Sequence, residues 1–188
     1  MQQKIFIDAN TLLLDSFTLA RRIYEDGYRP DFLIGIWRGG TPPGIAIHEF
    51  FVYKGCRPAS HTAIKVESYY GIEQRKEAIV DGMEKVTPRL HPDGRLLIVD
   101  DIFDTGKSIE AVKNVLAETV TFPIQVRVAT IYYRPDKNVT SFAPDYFLKK
   151  VYSWVVFPHE LEGLSEEEIR QKGPRLFTIL TGKGNEGE

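Results

Sequence analysis

The chain lacks the residues that would tie it to a disulfide scaffold, a membrane or a nucleic acid. Its 188 residues include one cysteine, Cys56, which excludes an internal disulfide and a cysteine-rich zinc site. Cys56 stands between Gly55 and Arg57 with no histidine arrangement to activate it, so it reads as an ordinary loop thiol and not as a nucleophile. No apolar run reaches the length of a membrane span or of a signal-peptide core. Neither sign of charge dominates: 24 basic residues stand against 26 acidic ones for a net charge of -2, without the basic cluster that nucleic-acid binding needs. There is no internal repeat and no interdomain linker. These absences predict a cytoplasmic protein with no membrane or nucleic-acid partner. With 43% hydrophobic and 27% charged residues, the chain suits one well-cored domain over 1–188. Its core is expected at about 10–160, with a C-terminal extension at 161–188 ending in a mobile GKGNEGE tail.

What is present centres on Leu96 to Ser108, LLIVDDIFDTGKS. Leu96, Leu97, Ile98 and Val99 end abruptly in Asp100 and Asp101, the pattern of a buried parallel strand whose carboxyl end opens onto solvent. Asp104, Thr105, Gly106, Lys107 and Ser108 then form a short loop. Ile109, Val112, Val115 and Leu116 follow at helical spacing, so the loop feeds a helix N-terminus whose free N–H groups favour an anion. Gly106 lets backbone approach a phosphate, and the Thr105 and Ser108 hydroxyls add donors. Asp100 and Asp101 would repel that phosphate unless they meet sugar hydroxyls or Mg²⁺, which a ribose diol and a pyrophosphate bring. The GKS ending invites comparison with the P-loop, but that motif needs glycine where this chain has Asp101. Alone, the segment also describes an ordinary strand-turn-helix corner with the acids as solvated ends or caps.

Around this centre lie further units. A first helix carries Leu13, Phe17, Ala20 and Tyr24, with Asn10 or Thr11 as candidate cap and Gly27 as stop. Phe32 to Trp37 reads as a strand ending in Arg38, Gly39 and Gly40, with Pro42 and Pro43 opening the next helix. Thr62 to Val66 reads as a third strand, and Glu67 to Lys76 as a polar, mobile loop. Ile79 to Arg95 reads as a connector without chemistry. Val126 to Tyr133 is another strand, closed by Arg134-Pro135. Val151 to Glu160 reads as a final edge strand, with Trp154 and Phe157 as core aromatics in the plainest reading. Ser165 and Glu168 form a capping box for a short acidic helix. Alternating strands and helices predict an α/β fold, a parallel sheet flanked by helices with ligands at the strands' carboxyl ends.

The central segment resembles the phosphoribosyl-pyrophosphate (PRPP) signature of the type I phosphoribosyltransferases: a hydrophobic strand, two acids, three residues, then T-G and a small hydroxyl residue. The resemblance covers roughly Phe32 to Glu160. It implies the type I phosphoribosyltransferase-like sheet with a small hood built from the chain ends. It also implies Mg²⁺-dependent transfer of the phosphoribosyl group of PRPP to a purine in purine salvage, giving a nucleoside monophosphate and pyrophosphate.

By the resemblance, Asp100 and Asp101 hold ribose hydroxyls and metal, Asp104 to Ser108 the 5′-phosphate, and Arg38 with Gly39 the pyrophosphate, in a loop that often contains a strained peptide bond. Asp104 takes or shares the proton of the attacking ring nitrogen, while Lys107, which faces the same phosphate loop, also fits a solvated charge. Ser68 and Tyr69 match the serine-tyrosine pair of a flexible loop that folds over the site. Trp154 and Val155 match the residues that stack on the base and read its edge through backbone groups. Glu160 falls near a carboxylate that meets a second Mg²⁺ through water. Where the 6-oxopurine enzymes carry a lysine that donates to the exocyclic oxygen, this chain has Arg134, with Lys149 or Lys150 as substitutes. Obligate donors there predict a 6-oxopurine: hypoxanthine, guanine or xanthine. Expected partners are PRPP, the base and the product, in a homodimer or higher homo-oligomer. An enzyme for another base and a non-catalytic PRPP- or nucleotide-sensing regulator remain the alternatives.

Overall fold

A computed structural model of the chain describes residues 4–70 and 76–182, without the side chains of residues 68–70 and 76–78. In chain order the elements are β1 (Lys4–Phe6), α1 (Ala9–Glu25), β2 (Phe32–Trp37), α2 (Thr41–Tyr53), β3 (Ser60–Tyr70), β4 (Lys76–Asp81), β5 (Arg95–Phe103), α3 (Lys107–Thr119), β6 (Gln125–Tyr133), β7 (Tyr146–Lys150), β8 (Trp154–Val156), α4 (Glu166–Lys172) and α5 (Pro174–Thr181). They fall into two compact units, 13–152 and a smaller one made of 1–12 with 153–188.

The larger unit is built on one six-stranded sheet in the order β4-β3-β2-β5-β6-β7. Every neighbouring pair is parallel except β3 with β4. β5 lies inside the sheet, and its residues Leu96 to Val99 are fully buried, as a parallel strand covered on both faces requires. Alternation along β2 shows the two faces. Leu33 and Gly35 lie against Gly44 of α2, whereas Ile34 and Ile36 join the cluster formed by Ile98, Ile109, Val112 and Leu116. The helical spacing expected after Ser108 is therefore the buried stripe of α3.

In the smaller unit β1 and β8 form a two-stranded parallel sheet, with Lys4 opposite Trp154 and Ile5 opposite Val155. The capping box of α4 is complete: Ser165 Oγ accepts from Glu168 N at 3.2 Å, and Glu168 Oε2 accepts from Ser165 N at 2.9 Å. Among the described residues, no helix is long and apolar enough to cross a membrane.

Three expectations need correction. Glu67 to Tyr70 is strand and not loop, because β3 runs on to Tyr70 and pairs with β4 from Lys65–Asp81 to Tyr70–Lys76. Its partner lies in a stretch read as polar loop and connector, and strand propensity depends on such distant pairing more than on local composition. Residues 71–75 of the expected loop lie outside the described residues. The run after Val151 joins β1 instead of the edge of the main sheet. The cap of α1 is Asp8, whose Oδ1 accepts from Thr11 N at 2.9 Å, not Asn10 or Thr11. Within the expected C-terminal extension, Pro174–Thr181 forms α5.

At the entrance to the two central strands, Asp31 accepts three hydrogen bonds from Arg95: from the backbone N at 2.9 Å, Nε at 3.0 Å and Nη2 at 2.9 Å. This bidentate pairing holds the Asp31 carboxyl below the ordinary carboxylate range. A depressed folded-state value adds stability above the unfolded value, and that stability is lost as pH falls through the folded one. Asp31→Ala should therefore cost about 1 to 2 kcal/mol at neutral pH, allowing for partial exposure. In thermal melts the deficit should shrink progressively below about pH 4.

Candidate functional site

Because β2 and β5 are parallel neighbours with Gly35 opposite Val99, their carboxyl ends deliver two loops to the same edge of the sheet. The first is Arg38, Gly39 and Gly40, entered through a cis Trp37–Arg38 peptide. The second is the end of β5 from Asp100 and Asp101 onward, leading into the loop at Asp104. The two are in steric contact. A Cβ at Gly39 would overlap the Asp101 carboxylate, and one at Gly40 would overlap Val99 O and approach Asp100 Cα to 2.9 Å. Glycine at 39 is thus required for Asp101 to keep its place, which is a closer demand than the backbone approach to a ligand that the sequence suggested.

The two acids lie within β5 itself, and Asp100 Oδ1 accepts from Asp101 N at 3.0 Å. Asp101 is 7% exposed. Burial, and then the charge of Asp101, push the Asp100 carboxyl well above the ordinary range. Two crowded carboxylates at low exposure favour a ligand that supplies positive charge or hydroxyl donors. Among the described residues no group of three or more His, Cys, Asp and Glu could hold a metal ion, so a cation here would rest on these acids together with oxygens from a substrate.

Beyond them Gly106 turns the chain at φ 82° into α3, with no side-chain cap hydrogen bond. Thr105, Lys107 and Ser108 are exposed, the last two in the first turn of α3, where Lys107 N donates to Thr105 Oγ1 at 3.4 Å. The loop is braced from behind by the segment after β6, a feature the sequence did not reveal. Val139 N donates to Thr105 O at 3.1 Å, and a Cβ at Gly106 would overlap the Phe103 ring and Thr140 Cγ2 at 2.6 and 2.8 Å. Asn138 shapes that brace: its Oδ1 accepts from Thr140 N and Oγ1, both at 2.8 Å, and its Nδ2 donates to Phe142 O at 2.8 Å. Its only sequence signal is the turn chemistry of K-N-V-T-S, which does not say what the turn touches.

Arg134 begins that segment and is 4% exposed. Its Nη1 lies 3.5 Å from Asp104 Oδ1. Lys149 is engaged elsewhere, donating to Asp15 at 2.8 Å, and Lys150 is exposed.

The larger unit thus brings together Arg38, Gly39, Asp100, Asp101, Asp104 to Ser108 and Arg134. Ser68 and Tyr69 lie near the carboxyl end of β3, opposite Ala78 and Glu77. Trp154, Val155 and Glu160 belong to the smaller unit. There Trp154 is 49% and Val155 5% exposed, so the aromatic is not the core residue of its plainest reading. Glu160 Oε2 accepts from Phe157 N at 3.1 Å, and Lys172 Nζ donates to Phe157 O at 2.6 Å, closing the turn after β8. A separate cavity of about 300 Å³ between α2 and strands β2 and β3 is lined by Leu33, Ile45, His48, His61 and others. It contains none of the residues singled out in the sequence.

A mostly parallel sheet flanked by helices, with paired acids near the carboxyl end of a central strand and a glycine loop arriving beside them, places the molecule among α/β proteins of the type I phosphoribosyltransferase fold. Residues 6–166 match the phosphoribosyl transferase domain, and the chain belongs to that family. It is 28% identical over 159 residues to a xanthine-guanine phosphoribosyltransferase of Cereibacter sphaeroides, covering 78% of this chain and 81% of that protein. It is 33% identical over 158 residues to an adenine phosphoribosyltransferase of Trichormus variabilis, covering 73% and 87%. The crystal structure of a purine phosphoribosyltransferase from Pyrococcus horikoshii superposes with a TM-score of 0.67 at 28% identity, covering 86% of this chain and 97% of that one.

The acid pair gives a stability prediction independent of any ligand. With its folded-state value raised, Asp100 costs stability as pH climbs from the unfolded value through the folded one. Asp100→Asn keeps the acceptor for Asp101 N and removes the repulsion. Its melting temperature should exceed the wild type's by a few degrees, roughly 1 kcal/mol, near pH 7.5, and the gain should vanish near pH 4. Thermal melts at the two pH values check this.

Proposed function

We propose that the protein is a Mg²⁺-dependent purine phosphoribosyltransferase that transfers the phosphoribosyl group of PRPP to a 6-oxopurine, releasing pyrophosphate. The observation that carries this reading is the contact between the Arg38-Gly39-Gly40 loop and the acid pair, which sets an anion-binding loop against carboxylates suited to a ribose diol and a cation. In the reaction a purine ring nitrogen forms a bond to the sugar's anomeric carbon as the bond to the pyrophosphate oxygen breaks.

Each group then has one task. The loop Asp104 to Ser108 and the N-terminus of α3 bind the 5′-phosphate by backbone N–H and hydroxyl donors. Asp100 and Asp101 bind the ribose hydroxyls, and two crowded carboxylates of which Asp101 is 7% exposed fit Mg²⁺. When bound, that ion supplies charge neutralisation for the departing pyrophosphate. Arg38 stabilises the same leaving group. Asp104 accepts the proton of the attacking nitrogen. Ser68 and Tyr69, at the outer end of β3, are assigned to shielding the sugar cation from water.

Trp154 is assigned to base stacking and Val155 to reading the base edge; a half-exposed tryptophan beside a buried valine supports that division. Glu160 is assigned to a second Mg²⁺ through water. For the 6-oxopurine, support comes from the cations themselves. Lys149 is tied to Asp15, whereas Arg134 stands beside Asp104 as an obligate cationic donor, which suits a carbonyl and opposes the amino group of adenine.

The test is pyrophosphate release from PRPP and Mg²⁺ with hypoxanthine, guanine, xanthine, adenine and pyrimidines. A 6-oxopurine should be the best substrate; preference for adenine or a pyrimidine would overturn the base assignment. Trp154→Ala should raise KM for the base by about 5- to 100-fold, since stacking contributes ~1 to 3 kcal/mol, with KM for PRPP little changed. Equal effects on both would make Trp154 structural.

A further inference from the structure

Asp104 is a divided carboxylate. Its side chain is 39% exposed, yet Oδ1 is sealed from solvent and accepts no hydrogen bond, so the exposure belongs to the rest of the group, Oδ2 included. What Oδ1 faces is the guanidinium of Arg134, with Nη1 at 3.5 Å. Arg134 is itself buried, and its Nε and Nη2 have no hydrogen-bond partner. The second carboxylate near it is Asp136, whose Oδ2 is 4.0 Å from Nη2. A buried guanidinium needs a counter-charge, and Asp104 is the nearer of the two.

The backbone fixes both partners. Arg134 N donates to Phe103 O at 2.9 Å, immediately before Asp104, and Arg134 O accepts from Lys137 N at 3.1 Å and Asn138 N at 3.2 Å. Val139 N, bonded to Thr105 O at 3.1 Å, closes the other side. Asp104 and Arg134 are therefore carried on backbones tied together before and after the ion pair. Free rotation about χ2 would otherwise make the two oxygens of a part-exposed aspartate equivalent. A buried positive charge on one side breaks that equivalence.

We infer that Arg134 is a positioning residue for Asp104: it holds one carboxylate oxygen inward and so aims the other at the reacting base. The inference rests on the proposed phosphoribosyl transfer and adds to Arg134 a role acting through Asp104, apart from any contact of its own with the base. A lysine keeps the charge but not the planar fork that sets Nη1 toward Asp104 and Nη2 toward Asp136.

Two double-mutant cycles test it, each with Asp104→Asn, Arg134→Gln or Arg134→Lys, and the pair. In steady-state kinetics Arg134→Lys should lower kcat by about 10-fold or more with KM for PRPP changed by less than about twofold, and should lower it no further once Asp104 is Asn. In thermal melts the paired variant should be destabilised by less than the sum of the single ones. Should Arg134→Gln fail to fold, the charge-preserving Arg134→Lys carries both cycles. Additive losses of melting temperature would overturn the pairing. An equal fall in kcat in both Asp104 backgrounds, or an unchanged kcat, would overturn the positioning role while leaving the proposed reaction intact. No pyrophosphate release by the wild type with any base would instead overturn the reaction, and with it the catalytic meaning of a pair that the melts alone still detect.

Discussion

The lack of room for any side chain at Gly39, where a Cβ would overlap the Asp101 carboxylate, and at Gly40, where one would overlap Val99 O, is the constraint on which the meeting of the two loops depends. For the two loops to meet, β2 and β5 must be parallel neighbours with ends at the same level, which their register provides. That register in turn needs both strands covered on both faces, by α2 on the Gly35 side and by the α3 cluster on the Ile34 side. The helix after each loop is thus a consequence of the same arrangement. Crowding two carboxylates there costs stability, and the raised Asp100 carboxyl records it. Sites that concentrate like charge away from solvent commonly trade stability for a ligand that relieves it.

The parts of this arrangement that are local in sequence were legible. Four apolar residues before two acids gave the buried strand, Gly106 before a helical stripe gave the turn into α3, and Arg38-Gly39-Gly40 gave the neighbouring loop. Each depends on backbone conformation or burial within a few residues, where composition is informative. Pairings between distant segments were not legible. The extension of β3 to Tyr70 depends on β4, β8 depends on β1, and neither partner carries a pattern that names the other. As a cap in the sequence, Asp8 competes with Asn10 and Thr11 two and three residues on, and only the hydrogen bond from Thr11 N decides for it. The bracing of Gly106 by Thr140 and the facing of Arg134 onto Asp104 are side-chain contacts across more than 25 positions, and only the fold displays them.

Arg134 stands in two relations at once. Its sequence position marks it as a departure from the lysine of similar enzymes and suggests a base reader. The structure gives it a second relation, to Asp104, and leaves two of its nitrogens without partners. Both relations draw on the same property, a planar cation with donors pointing several ways. Trp154 makes the opposite point: a strand aromatic reads first as core, and its 49% exposure removes that explanation.

The acid pair of β5 is the centre of the functional reading, so its affinity for the sugar donor is the most direct measurement. Calorimetric titration of PRPP into the wild type with Mg²⁺ should give saturable binding at one site per chain. The variant carrying Asp100→Asn and Asp101→Asn, folded by circular dichroism and no less stable on melting, should bind at least about tenfold more weakly, a loss of ~1.4 kcal/mol or more. Unchanged affinity in that variant would contradict the assignment of the ribose and metal to Asp100 and Asp101.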